Sequence, residues 1–335
     1  MNTSVDPCDD FYRFVCGKYV EEVKILDDRV TASISDDIEE KITDELVEIL
    51  EESPSKTLRA KPFLMAKQFY KQCLDVDKIN KIGLDKVKEW YRKFGGWPVL
   101  EGDSWDETKF DWVNASLIMY KNGFGYNNLI DCDVYPHPQD TKRRILELGQ
   151  ADLSIDREYL IEDFETKIVQ SYYTFMVDVA VMYGANRERA LQELRESLKF
   201  EMSLAKITTP IEEMRDHTKL YNPMTISQLE KEYPYVHWFY YFQEIVPKEV
   251  NFPQSGADTI NVYVPNFFKK LGNLLNITPK RVIANYLLWR CAMENVAFLT
   301  TDMMKLSLKF SKVITGVEAL EERTKECVDR TAELL

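Results

Sequence analysis

The sequence predicts a mainly α-helical fold: a multi-helical lobe with one small β-hairpin. Three observations carry this reading. Only 12 of the 335 residues are glycine. Leu, Glu and Lys recur at helical spacing along most of the chain. A single stretch, "NNLIDCDVYPHPQDTKRRILELG", holds two strand-like runs around a loop with Pro136 and Pro138.

The elements follow in chain order. Asp9 or Asp10 caps a first helix with Phe11, Phe14 and Val15 on one face. In "SISDDIEEKITDELVEILEES", Ile34, Ile38, Ile42, Leu46 and Leu50 fall every fourth residue, which predicts a long amphipathic helix. Residues 55–75 read as helical with a break or kink near Pro62. Residues 79–94 make another helix, ended by Gly95-Gly96. The hairpin is placed at roughly 128–135 and 143–148. Helices resume over 162–183, closed by Gly184, and over 187–206. Thr225 with Gln228 forms a capping box, and Thr278 at an N-cap with Pro279 at the first helical position predicts a further helix start. Residues 301–335 read as two helices divided near Gly316. The aromatic run "YPYVHWFYYF" (233–242) is buried packing at helical spacing.

Bulk properties narrow the function. At 335 residues the chain has room for two lobes or subdomains. Its net charge of −13 argues against nucleic acid or an anionic bilayer as the main partner, since both reward a positive surface. No apolar run reaches the length, about 18 residues, that spans a membrane. The polar opening "MNTSVDPC" reads as a start made by removing something upstream, with Met1 added. Three glycosylation sequons, at Asn2, Asn114 and Asn276, point to an extracellular protein.

A catalytic centre is not legible in the motifs. The three histidines, His137, His217 and His237, have no second ligand at metal spacing, and no H-E-x-x-H occurs. Nucleophile elbow, phosphate loop and dinucleotide glycine pattern are absent as well. The acidic runs "SDDIEE" and "ALEER" read as solvated helix faces. Of six cysteines, Cys8 and Cys16 stand eight apart. Eight helical residues rise about 12 Å, whereas a disulfide needs Cα atoms within about 7 Å, so in a helix these two cannot bond each other.

"DPCDDFYRFVCGKY" resembles the amino-terminal signature of the neprilysin and endothelin-converting-enzyme family of zinc metallopeptidases, P-C-x-D-F-x-x-[FY]-x-C-G. Further landmarks arrive in the family's order: "MAKQFYKQCLD" (65–75), "GGWPVL" (95–100), "LSIDREYL" (153–160), "RDHTKLYNPMTISQLEKEYP" (215–234), "INVYVPNFFKKLGNLL" (260–275), "NYLLWR" (285–290) and "KEC" (325–327). The resemblance covers essentially the whole chain.

It implies that residues 1–335 are the helical, non-catalytic lobe of such a peptidase. The missing partner is a carboxy-terminal catalytic domain carrying the zinc, so this chain alone holds no cofactor and cleaves nothing. By the same resemblance, Cys8 and Cys16 pair with cysteines of that domain, Cys73 pairs with Cys327, and Arg29 contacts peptide substrates. Around Arg29 the sequence departs from the family, with "TASISDDIEE" where an aromatic is expected. Cys132 and Cys291 match no family pair; they either bond each other or are free buried thiols. The alternative function is a truncated, secreted homologue acting as a non-enzymatic peptide- or protein-binding module.

Overall fold

The computed structural model of the chain describes residues 1–52 and 60–334. Sixteen α-helices and four short strands lie among them. The first helices are α1 (Phe11–Glu22), α2 (Ile34–Glu51), α3 (Lys61–Leu74), α4 (Val76–Ile82), α5 (Asp85–Lys93), α6 (Pro98–Glu101) and α7 (Trp112–Lys121). Strands β1 (Asp131–His137) and β2 (Asp140–Gly149) follow, then α8 (Arg157–Leu160), α9 (Lys167–Met182) and α10 (Arg187–Ile207). After β3 (Pro223–Thr225) come α11 (Ile226–Glu232), α12 (Trp238–Ile245), β4 (Thr259–Val262) and α13 (Pro265–Ile277). The chain closes with α14 (Lys280–Asn295), α15 (Thr301–Ile314) and α16 (Arg323–Leu334).

The chain divides into two compact units. The first comprises Met1–Lys81 and Ser307–Leu335; the second comprises Ile82–Leu306. The first has a small core of Leu50, Tyr70, Cys73, Cys327 and Val328, with Leu46 and Val47 packed against it. The second is built on α9, α10 and α14, and its interior is aromatic: Trp97, Trp238, Trp289, Tyr172, Tyr286 and Phe267 are all fully buried. Edge-to-face contacts join Tyr91 to Trp97 and Phe175 to Trp289, the packing geometry that ring quadrupoles favour.

Local rules explain most element boundaries. Asp10 caps α1, its Oδ1 accepting from the Arg13 amide at 2.8 Å. The capping box at α11 is complete: Thr225 Oγ1 accepts from the Gln228 amide at 3.2 Å, and Gln228 Oε1 accepts from the Thr225 amide at 2.8 Å. Gly316, at φ +82°, lies between α15 and α16.

Elsewhere the structure corrects the sequence reading. Pro62 lies in the first turn of α3, where a missing amide costs nothing, and does not kink a longer helix. Residues 55–59 of that expected stretch lie outside the described residues. The expected helix 79–94 is two helices, because Gly83 turns the chain at φ +63°. The helix expected from 162 begins at Lys167. Thr278 is not an N-cap: its hydroxyl donates back to Leu274 O at 2.7 Å, closing α13, and Pro279 is the N-cap of α14. The hairpin is real, pairing Asp131 with Gly149 through Pro136 with Arg144, but it belongs to a four-stranded sheet of order β1-β2-β4-β3. β4 runs parallel to β2 and antiparallel to β3. Strands of three and four residues are too short to show an alternating pattern.

α2 forms as expected, yet its apolar residues are unevenly covered. Leu50 is buried, whereas Ile34, Ile38 and Ile42 are 67%, 53% and 51% exposed.

Candidate functional site

Arg29 stands in the turn between α1 and α2, within the first unit. Its segment is anchored by Asp27 O, which accepts from the amides of Glu318 at 2.7 Å and Ala319 at 3.0 Å. Ser33 then starts α2, its Oγ accepting from the Asp36 amide at 3.2 Å. One turn further on, Glu40 turns back toward Arg29. The guanidinium lies 3.2 Å from Glu40 Oε1 and 3.9 Å from Asp28 Oδ1. Lys325 of α16 reaches the same Glu40 oxygen at 2.6 Å and Asp44 at 3.8 Å.

These groups border a cleft of about 620 Å³, lined among others by Val30, Glu39, Ile42, Leu46, Glu321 and Asp329. Hydrogen bonds from Lys325 and Arg29 hold the Glu40 carboxyl below its ordinary range. Burial, and then the neighbouring Asp329 and Glu326, push Glu321 up. Burial, and then Glu333 and Glu39, do the same to Asp329. The arrangement is two cations sharing one carboxylate inside an acidic, partly apolar cleft. It can orient a charged ligand, and it presents no nucleophile or metal ligand set.

A disulfide closes the unit. Cys73 at the end of α3 is bonded to Cys327 of α16, with Cα atoms 5.7 Å apart and a sequence separation of 254. Arg323 donates to Cys73 O through Nε at 3.1 Å and a terminal nitrogen at 2.8 Å. Nearby, buried Lys67 of α3 donates to the carbonyls that end α2: those of Ile49, of Leu50 at 3.3 Å and of Glu52 at 2.6 Å. Cations thus satisfy the orphan carbonyls of two helix ends beside the crosslink.

Cys8 and Cys16 are both free thiols, the first exposed and the second half-buried. α1 starts at Phe11, so only Cys16 is helical; Cys8 lies in the preceding turn, its amide donating to Asp6 Oδ1 at 2.8 Å. The helical-rise argument therefore covers only part of the span between them. Cys132 and Cys291 are buried free thiols and do not bond each other. Asn114 and Asn276 are exposed; Asn2 accepts from the Ser4 hydroxyl at 2.6 Å. His137 is 3.2 Å from the Tyr221 hydroxyl, His217 opens a short 3-10 turn, and His237 precedes α12. Among the described residues no group of three or more His, Cys, Asp or Glu is placed to hold a metal ion. A zinc site therefore does not fit the described residues of this chain.

Residues 7–335 match the model described as peptidase family M13.

The chain belongs to peptidase family M13.

Within it, the chain corresponds to the amino-terminal domain. It is 38% identical to Neprilysin-2 of Drosophila melanogaster over 98% of its own length, but covers 42% of that protein. It is 28% identical to Membrane metallo-endopeptidase-like 1 of Homo sapiens, covering 43% of it, and 27% identical to Neprilysin-1 of Trittame loki, covering 47%. The chain thus spans less than half the length of these curated relatives. Among solved structures it is similar to Mycobacterium tuberculosis zinc metalloprotease ZMP1 in complex with an inhibitor, with TM-score 0.80 and 17% identity over 100% of this chain and 49% of that one. PEPO of Lactobacillus rhamnosis gives 0.79 and 16%, over 98% and 50%. At these identities the likeness is one of fold.

M13 membership leaves much of the site unread. Glu40 and Lys325 are invisible as functional residues in sequence, since "SDDIEE" reads as a solvated face and 285 residues separate the pair. The motif "NYLLWR" is structural. Buried Asn285 accepts from the Val99 amide at 2.9 Å and donates to Glu193 at 2.8 Å. Trp289 donates to the Tyr172 hydroxyl, which itself donates to fully buried Glu201 at 3.0 Å. Arg290 lies 3.9 Å from Glu201 and donates to Asp152 O. A charge inside an apolar run was the only sequence signal for this network.

Proposed function

We propose that this chain is the non-catalytic lobe of an extracellular zinc endopeptidase of family M13, covering the active site of a second, zinc-bearing domain and admitting peptides while excluding folded proteins. The observation that carries the reading is the family match along 7–335 combined with coverage of less than half of each relative. In the whole enzyme, zinc in the other domain supplies a Lewis acid and an activated water. This lobe contributes walls, and Arg29 contributes a cation for a substrate carboxylate. Cys8 and Cys16 are the lobe's half of interdomain disulfides, a role that suits free thiols on its first helix and the turn before it. Exposed Asn114 and Asn276, with Asn2, are the glycosylation sites.

Sequencing the parent transcript beyond Leu335 tests the proposal. A continuation containing H-E-x-x-H is the expected result. A stop codon would overturn the peptidase reading and favour a secreted binding module.

A further inference from the structure

The sequence has four runs of adjacent basic residues: Arg92-Lys93, Lys142-Arg143-Arg144, Lys269-Lys270 and Lys280-Arg281. The fold treats one of them differently. The first closes α5, the third lies in α13 and the fourth opens α14. Arg281 is held further, donating to Pro98 O, Gly102 O and Glu193 at 3.1, 3.0 and 2.8 Å. Lys142-Arg143-Arg144 is instead in extended backbone, on β2. All three of its side chains are exposed, and none has an ion-pair or hydrogen-bond partner among the described residues. β4 pairs with β2 only at Glu147 and Leu148. From Lys142 to Leu146 the hairpin is therefore a two-stranded ribbon, with no strand on the far side of β2 among the described residues. Such a ribbon is marginally stable by itself, so opening its tip costs far less than unfolding the chain. The β1 side is occupied. Cys132 O accepts from the Tyr126 hydroxyl at 3.0 Å, the Val134 amide donates to Asp133 Oδ1 at 2.7 Å, and Pro136 has no amide to offer. The end of β1 is also tethered, His137 Nε2 lying 3.2 Å from the Tyr221 hydroxyl. The β2 side is the open one.

We propose that Lys142-Arg143-Arg144 is a processing site for a serine endopeptidase that reads paired basic residues, with the cut at the Arg143–Arg144 bond. Such an enzyme takes its substrate as an extended strand and meets the two cations before the scissile bond with carboxylates of its own. Lys142 and Arg143 supply those cations, on opposite sides of the strand by its two-residue alternation. The bond after Arg144 is the poorer target, because Ile145 is 6% exposed and would have to leave the interior. The step is hydrolysis. One water is consumed, the amide bond between Arg143 and Arg144 breaks, and the new ends are a carboxylate on Arg143 and an ammonium on Arg144. Cys73 falls on the amino-terminal fragment and Cys327 on the other, so their disulfide keeps the cut chain covalently joined. The inference stands apart from the lobe reading and needs no second domain.

The test incubates the native, disulfide-intact 335-residue chain with a purified subtilisin-like endopeptidase specific for paired basic residues. Intact mass and electrophoresis with and without reductant give the readout. The expected result is one species without reductant, and fragments 1–143 and 144–335 with it. The other three runs stay uncut. The same enzyme acting on reduced, alkylated and unfolded chain should also cut after Arg281, which shows that the fold selects the site. Arg143→Gln should slow the cut in the native chain about a hundredfold or more, since the enzyme's carboxylate is left without its cation. The Arg143 side chain is exposed, so the fold is retained, and an unchanged circular dichroism spectrum verifies this. A native chain left whole under conditions that cut the unfolded one would overturn the inference. So would a first cut at another run, or cleavage of the Arg143→Gln chain at the parent's rate.

Discussion

Arg29 and Lys325 donate to one and the same oxygen, Oε1 of Glu40, at 3.2 and 2.6 Å. Glu40 therefore joins the turn after α1 to α16, and it fixes where the Arg29 guanidinium points. A guanidinium held by one carboxylate still has donors to offer a second. Under the proposed function, Arg29→Gln in the parent protein should raise KM for a peptide substrate about tenfold with kcat little changed, the signature of lost uniform binding. Glu40→Gln should act through Arg29, so the double variant should be no worse than Arg29→Gln alone. Additive losses in steady-state kinetics would show that Glu40 has a separate role.

Lys67 places an ammonium under three carbonyls at the end of α2. Lys67→Met keeps the stem and removes the donors, stranding carbonyls in a buried site. The expected cost is about 1–3 kcal/mol of stability, measured by denaturant unfolding. The Cys73→Ala/Cys327→Ala pair should cost about 2–4 kcal/mol, because the crosslink closes a 254-residue separation. A Lys67→Met variant as stable as the parent would mean that water replaces the ammonium at those carbonyls.

How much of this was legible in sequence depends on where each signal lives. The helices with strong caps, at Asp10 and Thr225, were readable because capping is local chemistry. α2 was readable as a helix from its four-residue apolar period. That period could not say that Ile34, Ile38 and Ile42 stay exposed while Leu50 is buried, because burial depends on which elements arrive to cover them. β3 and β4 were missed because their pairing is decided by residues far away: Asn261 of β4 donates to Glu147 of β2 at 2.6 Å. At the candidate site Arg29 was reached by resemblance, whereas Glu40 and Lys325 needed the fold to bring α2 and α16 together.

Asp131 opens β1 with its carboxyl pushed up to about 6, by burial first and then by Asp152 and Asp133. The unfolded chain titrates this group near about 3.9. The folded state therefore prefers the protonated acid. Its stabilising contribution is fully present below the unfolded value and is lost as pH rises from about 4 through about 6. Asp131→Asn should flatten that part of the stability–pH curve and raise stability at neutral pH relative to the parent. A curve of unchanged shape would assign the slope to other carboxyls.

The cysteines should separate into three classes under alkylation. Cys8, exposed, should react first, and half-buried Cys16 more slowly. Cys132 and Cys291 should resist until the chain unfolds. Both are buried; burial raises their thiol pKa well above the ordinary range, with Asp131 adding to the rise at Cys132 and Glu294 at Cys291. Cys73 and Cys327 should appear in unreduced peptide maps as one crosslinked pair. In protein made oxidatively without a second domain, Cys8 and Cys16 should be recovered alkylated or in intermolecular disulfides. A clean Cys8–Cys16 bridge would require the turn before Phe11 to fold back along α1, since the helical portion alone carries Cys16 away from it. That outcome would make the first unit self-sufficient and would count against completion by a partner domain. Free or mixed-disulfide thiols would mark α1 and the turn before it as the place where the proposed second domain attaches.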